Sequence, residues 1–261
     1  MESEPVSYPV LDVEDAVRRA EESVRGEPPA RALGVLENLR ERFPRVSRLW
    51  SLSAHLLGNL GRRAEAEAGY RQALVLDPGN AWATRELCDL LCERESRESI
   101  DEAHSLVVGL LDRDPLDPYN HGYLGDLLYR KGNAEGSKAA FRTALWLKPD
   151  YSWASCRLAL VLCRGGNPEE ARQVLSESLE SRPDEAWTLA CLGCVERRLG
   201  RDDDAEHSFR RALDLEPALE TAFQGLHVLL LEKGREAEAR TLLSDFQKRT
   251  AQAEKRLPKE P

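Results

Sequence analysis

Four cysteines in the second half of this chain are its best candidates for chemistry. Cys191 and Cys194 are separated by two residues, a spacing found at redox centres where a helix N-terminus lowers the pKa of the thiol. Here the pair falls in the middle of a predicted helix, where the helix dipole has little effect. Cβ atoms three residues apart on a helix are about 5–6 Å apart, wider than the roughly 3.5–4.5 Å that a disulfide requires. We therefore do not expect redox catalysis.

A metal-thiolate centre would need these two thiols together with Cys156 and Cys163, which lie on the first helix of the preceding helix pair. Cysteine is also a common small buried residue, so the sequence does not favour a metal site here. The acidic run 202–204 beside His207 is explained by complementation of a helix dipole. We predict no metal site and no cofactor.

Motifs of known enzymes are absent: the chain has no phosphate loop, dinucleotide fingerprint, His-Glu-x-x-His or nucleophile elbow. Its net charge of −9 disfavours nucleic acid as a partner. No apolar segment reaches the roughly 20 residues needed to span a bilayer, and the opening Met1–Pro5 is not followed by an apolar run. The sequence thus predicts a protein of the cytoplasm that is not an enzyme and has no membrane partner.

The elements that position these residues follow a repeat of proline and glycine. Successive prolines are separated by 34, 37, 34, 34 and 34 residues, at Pro44, Pro78, Pro115, Pro149, Pro183 and Pro217. A second column holds Gly61, Gly132, Gly166, Gly200 and Gly234. Because apolar residues recur between these marks at helical spacing, each unit is predicted to contain two short helices. Proline ends the second helix, and glycine supplies a positive φ or a close approach at the turn.

Close packing of each helix pair requires small residues at matching positions. In the first helix of successive units these are Ala54, Cys88, Gly125, Ala159 and Gly193. In the second helix they are Ala66, Ala103, Ser137, Ala171 and Ala205. Larger apolar residues occupy the neighbouring positions, so the faces of each pair are expected to bury one another.

One unit carries a recognisable motif, formed by Leu192, Gly193, Gly200, Ala205, Phe209, Ala212 and Pro217. These residues resemble the signature of the tetratricopeptide repeat, and six further copies align with them; no closer relative is identified. The resemblance implies an all-α, right-handed superhelical solenoid of antiparallel helix pairs. The predicted units are 13–46, 47–80, 81–117, 118–151, 152–185, 186–219 and 220–253, between a flexible segment at 1–12 and a C-terminal tail at 254–261.

Three units depart from the pattern. The first has Glu27 where the turn glycine is expected, followed by Pro28 and Pro29. The third has three extra residues, which we place within 93–99, where they would lengthen the turn between its helices into a protruding loop. The last has Ala251 in the proline column, so its second helix is expected to continue through Gln252 and Glu254.

In the tetratricopeptide repeat family, the first helices line the concave wall, where ligands usually lie. One column on these helices is aromatic in four successive units: Trp82, Tyr119, Trp153 and Trp187. Aromatic anchors are enriched in binding hot spots. The alternative is that each ring packs on the preceding repeat, and the sequence leaves both interpretations open.

Charges on the same helices divide along the chain. The third and fourth units carry the acidic Glu86, Asp89, Glu93 and Asp126. The fifth and sixth carry Arg157, Arg164, Arg197 and Arg198, with Arg130 at the junction. Dipole complementation near a helix C-terminus accounts for these arginines except Arg157. The predicted groove residues are Trp82, Arg85, Asp89, Tyr119, Tyr123, Asp126, Arg130, Trp153, Arg157, Arg164, Trp187, Arg197 and Arg198.

These observations favour an adaptor whose groove binds a protein or peptide, specifically an acidic segment with apolar side chains. The fixed Lys/Asn set by which chaperone-binding relatives hold a C-terminal carboxylate is not found here. A second hypothesis is self-association through the convex face or the ends, for which Trp146 on a second helix is the main evidence; it leaves a homo-oligomer open. The third and least favoured is a subunit with a metal-thiolate centre.

Overall fold

The computed structural model of the protein describes residues 12–256, with side chains described as far as residue 250. Residues 1–11 of the predicted flexible N-terminus and 257–261 of the predicted tail lie outside this range. Residues 12–256 form fourteen helices and no strand, and none of these helices is long and apolar enough to cross a membrane. The helices fall into two compact units that meet between Pro115 and Leu116 in the sequence.

Unit 1, which precedes this division, contains three antiparallel helix pairs. Their bounds are α1 Val13–Gly26, α2 Pro29–Arg42, α3 Ser47–Asn59, α4 Arg63–Leu76, α5 Ala81–Cys92 and α6 Arg97–Leu111. Each first helix packs on its own second helix and on the first helix of the neighbouring pair. Polar side chains begin several helices: Asp12 accepts a hydrogen bond from the backbone N–H of Asp15, and Asn80 from that of Ala83.

Unit 2 contains four helix pairs arranged in the same way. Their bounds are α7 Pro118–Arg130, α8 Ala134–Leu147, α9 Ser152–Arg164, α10 Pro168–Ser181, α11 Ala186–Arg198, α12 Asp202–Leu215, α13 Glu220–Glu232 and α14 Glu236–Arg256. The last helix continues to Arg256, as the missing proline predicts.

The proline and glycine columns have the predicted roles. Each proline of the repeat falls in the segment that follows a second helix. In five of the seven pairs the turn between the helices contains a glycine with φ between 71° and 84°. In the third pair Glu95 has φ 51° instead, a backbone conformation that residues with a Cβ atom rarely adopt.

The predicted position of the three extra residues in the third pair is mostly wrong. The turn between α5 and α6 spans residues 93–96, only one residue longer than the corresponding turns of unit 2. Helix α6 is one residue longer than α8, α10 and α12. The segment 112–117 after it is two residues longer than the segments that follow those helices. Helix α5, in contrast, is one residue shorter than the first helices of unit 2. The helices absorb part of the insertion because one extra backbone hydrogen bond favours extending α6. Most of the added length therefore follows α6.

The predicted packing columns are buried. Every member of the two small-residue columns is inaccessible or nearly so, and the larger Tyr70, Phe141, Leu175 and Phe209 of the second helices are at most 2% exposed. Phe209 lies between two glycines. A Cβ atom built on Gly193 would lie 2.7 Å from its ring, and one built on Gly225 would lie 2.4 Å from it. The packing thus excludes a side chain at either position.

Candidate functional site

In unit 1, Trp82 of the predicted aromatic column packs against the preceding helix pair. Its ring centroid lies 5.5 Å from that of His55 and 6.4 Å from that of Tyr70. The guanidinium of Arg48 lies 4.7 Å from the ring centroid, and the indole N–H donates a 3.2 Å hydrogen bond to Glu86. Trp82 therefore contributes to packing between repeats.

The remaining predicted residues of unit 1 are on the same helix, α5. Arg85 is half-buried and Asp89 is exposed. Glu86, which accepts from Trp82, also accepts a 3.2 Å hydrogen bond from the hydroxyl of Tyr70. Burial and the neighbouring Glu86 carboxylate raise the pKa of Tyr70, so that its hydroxyl stays protonated and continues to donate.

In unit 2, two of the predicted tyrosines pack with aromatic residues of the next pair. Tyr119 meets Tyr151 edge-on at 5.0 Å, and Tyr123 stacks on Trp153 at 6.0 Å. Trp153 also lies 6.0 Å from Phe141, a core residue of the preceding pair. These rings therefore pack between repeats, but Tyr119 and Trp153 remain 39% and 37% exposed. We call the surface that carries Tyr119, Trp153 and Trp187 the first-helix face of unit 2.

A cavity of about 430 Å³ opens on this face between α9 and α11. It is bounded by Trp153 on one helix and Trp187 on the next, and Trp187 is 43% exposed. Its lining is mainly apolar: Trp153, Cys156, Arg157, Ala159, Leu160, Cys163, Trp187, Cys191, Cys194, Val195, Arg198 and Thr221. The exposed part of the aromatic column thus borders a concave site within the size range of ligand pockets.

The four cysteines considered above all line this α9–α11 cavity. The pKa of Cys191 is raised, first by a hydrogen bond with the thiol of Cys156 and then by burial. Burial also raises the pKa of Cys163 and of Cys194. These three thiols therefore stay protonated at neutral pH and are weak nucleophiles. Over residues 12–250, no group of three or more His, Cys, Asp and Glu side chains is arranged to hold a metal ion.

Arg157 is half-exposed and already paired within the protein. Its guanidinium pairs with the carboxylate of Asp126, whose side chain is only 12% exposed. The other carboxylate oxygen of Asp126 accepts a 2.7 Å hydrogen bond from Arg130. Asp126 thus links two of the predicted cations, and a partner's carboxylate would have to compete with it for both.

The other predicted arginines also separate into different environments. Arg197 pairs with Glu232 of α13 at 2.8 Å. Arg164 donates to the hydroxyl of Tyr129 and lies 5.6 Å from the centroid of that ring. Neither lines the α9–α11 cavity, whereas Trp153, Arg157, Trp187 and Arg198 do.

Arg198 differs from these cations because it lines the cavity and is exposed. Within the part of the chain that the structure describes, it has no carboxylate partner. Its guanidinium therefore places at this edge of the cavity a positive charge that no ion pair of the described residues neutralises.

Leu160, Val195 and Thr221 also line the cavity, although none of them is among the groove residues predicted from the sequence. The spacing of the cysteines could have indicated the cavity. Cys156 and Cys163 are one heptad apart, and Cys191 and Cys194 are three residues apart, so each pair lies along one side of its helix.

A second cavity, of about 350 Å³, lies where α8, α9 and α10 meet. Its lining is more polar and includes Gln173, Glu177 and the ion pair of Arg142 with Glu170. Trp146, also on α8 but outside this lining, has a side chain that is 78% exposed.

Sequence models described as tetratricopeptide repeat match residues 47–80 and 150–218. No curated protein matches the chain by sequence.

Several solved structures share the fold. The chain is similar to PilW, a widely conserved type IV pilus biogenesis factor, with a TM-score of 0.69, 20% identity, and coverage of 83% of this chain and 97% of that one. For pilF of Pseudomonas aeruginosa the TM-score is 0.64 at 17% identity, with coverage of 81% and 95%. For a chain of the APC/C hetero-tetramer Cut9-Hcn1 it is 0.67 at 15% identity, with coverage of 83% of this chain and 42% of that one. Together with the fourteen helices, these similarities show an all-α solenoid of the tetratricopeptide type.

Proposed function

This chain is a tetratricopeptide repeat protein, and we propose that it acts as an adaptor that binds a segment of a partner protein on the first-helix face of unit 2. Tetratricopeptide repeat proteins bind protein or peptide partners. The observation that carries the assignment to this face is the pair Trp153 and Trp187, exposed by 37% and 43% beside the α9–α11 cavity. Large aromatic surfaces left partly exposed at a concave site are typical of binding hot spots.

The same face supports a partner segment that is acidic and carries apolar side chains. Apolar groups fit the cavity lining, and the arginines of α9 and α11 supply positive charge in a chain whose net charge is −9. Because Arg157 and Arg197 are already paired internally, Arg198 and Arg164 are the cations best able to receive a carboxylate. The function is one of binding without catalysis, and a cytoplasmic location stays a prediction.

Self-association is the second candidate, and the exposure of Trp146 is the observation that favours it. A second copy of the chain could bury this indole against α8. Trp146 lies on the second helix α8 and Trp187 on the first helix α11. A crosslinker placed at each position in turn can therefore distinguish the two candidates.

We would replace Trp187 and, separately, Trp146 by the photo-crosslinking residue p-benzoylphenylalanine and irradiate living cells that express each variant. We expect adducts to another protein from position 187 and none from position 146. The captured protein would then be purified, and its Kd measured for the unmodified chain and for Trp187→Ala. An unchanged Kd would contradict the proposed site, and adducts between two copies of the chain from position 146 would favour self-association.

A further inference from the structure

The α9–α11 cavity has the chemical character of a receptor for one aromatic side chain. Its volume of about 430 Å³ is larger than a single side chain needs and lies within the roughly 300–1,000 Å³ of ligand pockets. Two indole rings and the side chains of Leu160 and Val195 form much of the wall. An apolar side chain that enters is therefore removed from water on several sides.

The thiols add polarisable sulfur atoms to this lining without adding negative charge. Cys191 and Cys194 remain protonated at neutral pH because hydrogen bonding and burial raise the pKa of the first and burial that of the second. Divalent sulfur is polarisable and makes favourable contacts with aromatic rings. A ring is therefore favoured over an aliphatic side chain of similar size.

The positive charge of Arg198 at the edge of the cavity favours an acidic residue next to the bound ring. Arg198 is the cation of the lining that has no carboxylate partner in the described part of the chain, whereas Arg157 is held by Asp126. An Arg guanidinium can pair with a carboxylate through two hydrogen bonds. A carboxylate close to the bound ring in sequence would meet this requirement.

We propose that the α9–α11 cavity is an anchor site for one aromatic side chain of a partner peptide, with a neighbouring Asp or Glu of that peptide paired to Arg198. The inference rests on the proposed binding function and adds to it the side-chain chemistry that is recognised. Recognition would then depend on one pocket and on Arg198, and not on a broad basic surface.

The test uses a displayed library of random peptides, selected on the full chain. We expect enriched peptides to contain Phe, Tyr or Trp within a few residues of Asp or Glu. A synthetic peptide of the enriched sequence is the probe, and its Kd is measured by fluorescence anisotropy. Replacing its aromatic residue by Ala, or its acidic residue by Asn or Gln, should weaken binding by about tenfold or more.

Two variants and a matched control place the probe in the cavity. Arg198→Glu should weaken binding at least about tenfold, whereas Arg45→Glu, the same charge change at an exposed position of unit 1, should alter it less than about twofold. Cys194 keeps one side open to solvent although its thiol is partly desolvated at the cavity wall. Cys194→Trp therefore fills the cavity from its open side and should abolish binding while the melting temperature is retained. In the unmodified chain, bound peptide should slow alkylation of Cys194 by N-ethylmaleimide, resolved from the other thiols by mass spectrometry.

Failure of this inference can be told from failure of the proposed function. Peptides that lose affinity for Trp187→Ala but lack an aromatic–acidic pair, or bind Arg198→Glu normally, would overturn the anchor site and leave binding at the first-helix face intact. Peptides that are insensitive to all of these substitutions would overturn both. A library that yields nothing above background would also overturn the anchor site.

Discussion

A Cβ atom built on Gly125 would lie 2.8 Å from the ring of Phe141, so the first helix of this pair approaches its second helix more closely than any side chain allows. Phe141 is fully buried and has no room to move away. The contact therefore depends on glycine at this position.

We predict that Gly125→Leu lowers the free energy of unfolding by on the order of 2–4 kcal/mol, because the added side chain overpacks a buried contact. Urea denaturation followed by circular dichroism measures the change. The matched control is Gly109→Ala on α6, where a Cβ meets nothing within 4 Å. This substitution should be neutral or stabilising by up to about 1 kcal/mol. A Gly125→Leu variant as stable as the parent would contradict the observed packing.

For Asp126→Asn we predict two opposite effects. Stability should fall by about 1–2 kcal/mol, because the half-exposed Arg130 and Arg157 lose their shared carboxylate. Affinity for an acidic peptide that binds the first-helix face should rise, since both guanidinium groups become available. Asp203→Asn, which removes the same charge from an exposed carboxylate paired with Lys233, should lower the melting temperature much less, because exposed ion pairs contribute little. Weaker binding of an acidic peptide by Asp126→Asn would refute this interpretation of the ion pairs.

Glu196 should make stability depend on pH. It is 5% exposed, and burial raises its pKa although Ser208 donates a 2.7 Å hydrogen bond to its carboxylate. A raised pKa in the folded state means that the folded protein binds the extra proton, so this contribution to stability is complete below the ordinary glutamate pKa and is lost as the pH rises.

Glu196→Gln, which mimics the neutral acid, should therefore raise the melting temperature at pH 8, and its advantage should shrink towards pH 4. Scanning calorimetry across this range measures the difference. Glu216→Gln, at an exposed position, serves as the control and should give a difference that hardly changes with pH. An equal advantage for Glu196→Gln at both ends of the range would exclude burial of the charged form as the cause.

The register of the repeats can be tested by deletion. Removing residues 186–219 takes out α11 and α12 with the linkers that follow each helix. Because repeats contact mainly their neighbours, we expect a shorter protein that still folds and melts cooperatively. Removing only residues 186–202 should abolish cooperative melting, because α12 would lose its partner helix. Equal cooperativity in the two variants would rule out this register.

The helices, their ends and their buried faces could be predicted from the sequence because each depends on local chemistry. Proline and glycine fix the backbone wherever they occur, as at Pro149 and Gly132, and small residues such as Ala171 mark close approach. The extra residues of the third pair were misplaced because a count of residues does not reveal which helix will lengthen.

The site was less predictable because it depends on side chains from different repeats. Asp126 and Arg130 are four residues apart on one helix, and their pairing could have been anticipated. The pairing of Asp126 with Arg157 could not, since it depends on how two first helices are rotated against each other. The same holds for the α9–α11 cavity, whose lining comes from three helices.

The position of Phe209 between Gly193 and Gly225 limits how the repeats of this chain can be exchanged. One glycine belongs to the same repeat as the ring, but the other belongs to the repeat that follows. A repeat that presents a phenylalanine in this way can be followed only by one whose first helix leaves the contact point open, through a glycine or through a side chain that turns away. At the equivalent place after Phe141 the chain has Arg157, whose long side chain turns towards Asp126. The order of the repeats is therefore specified pair by pair, and a duplicated or transplanted repeat would have to bring its neighbour's residue with it.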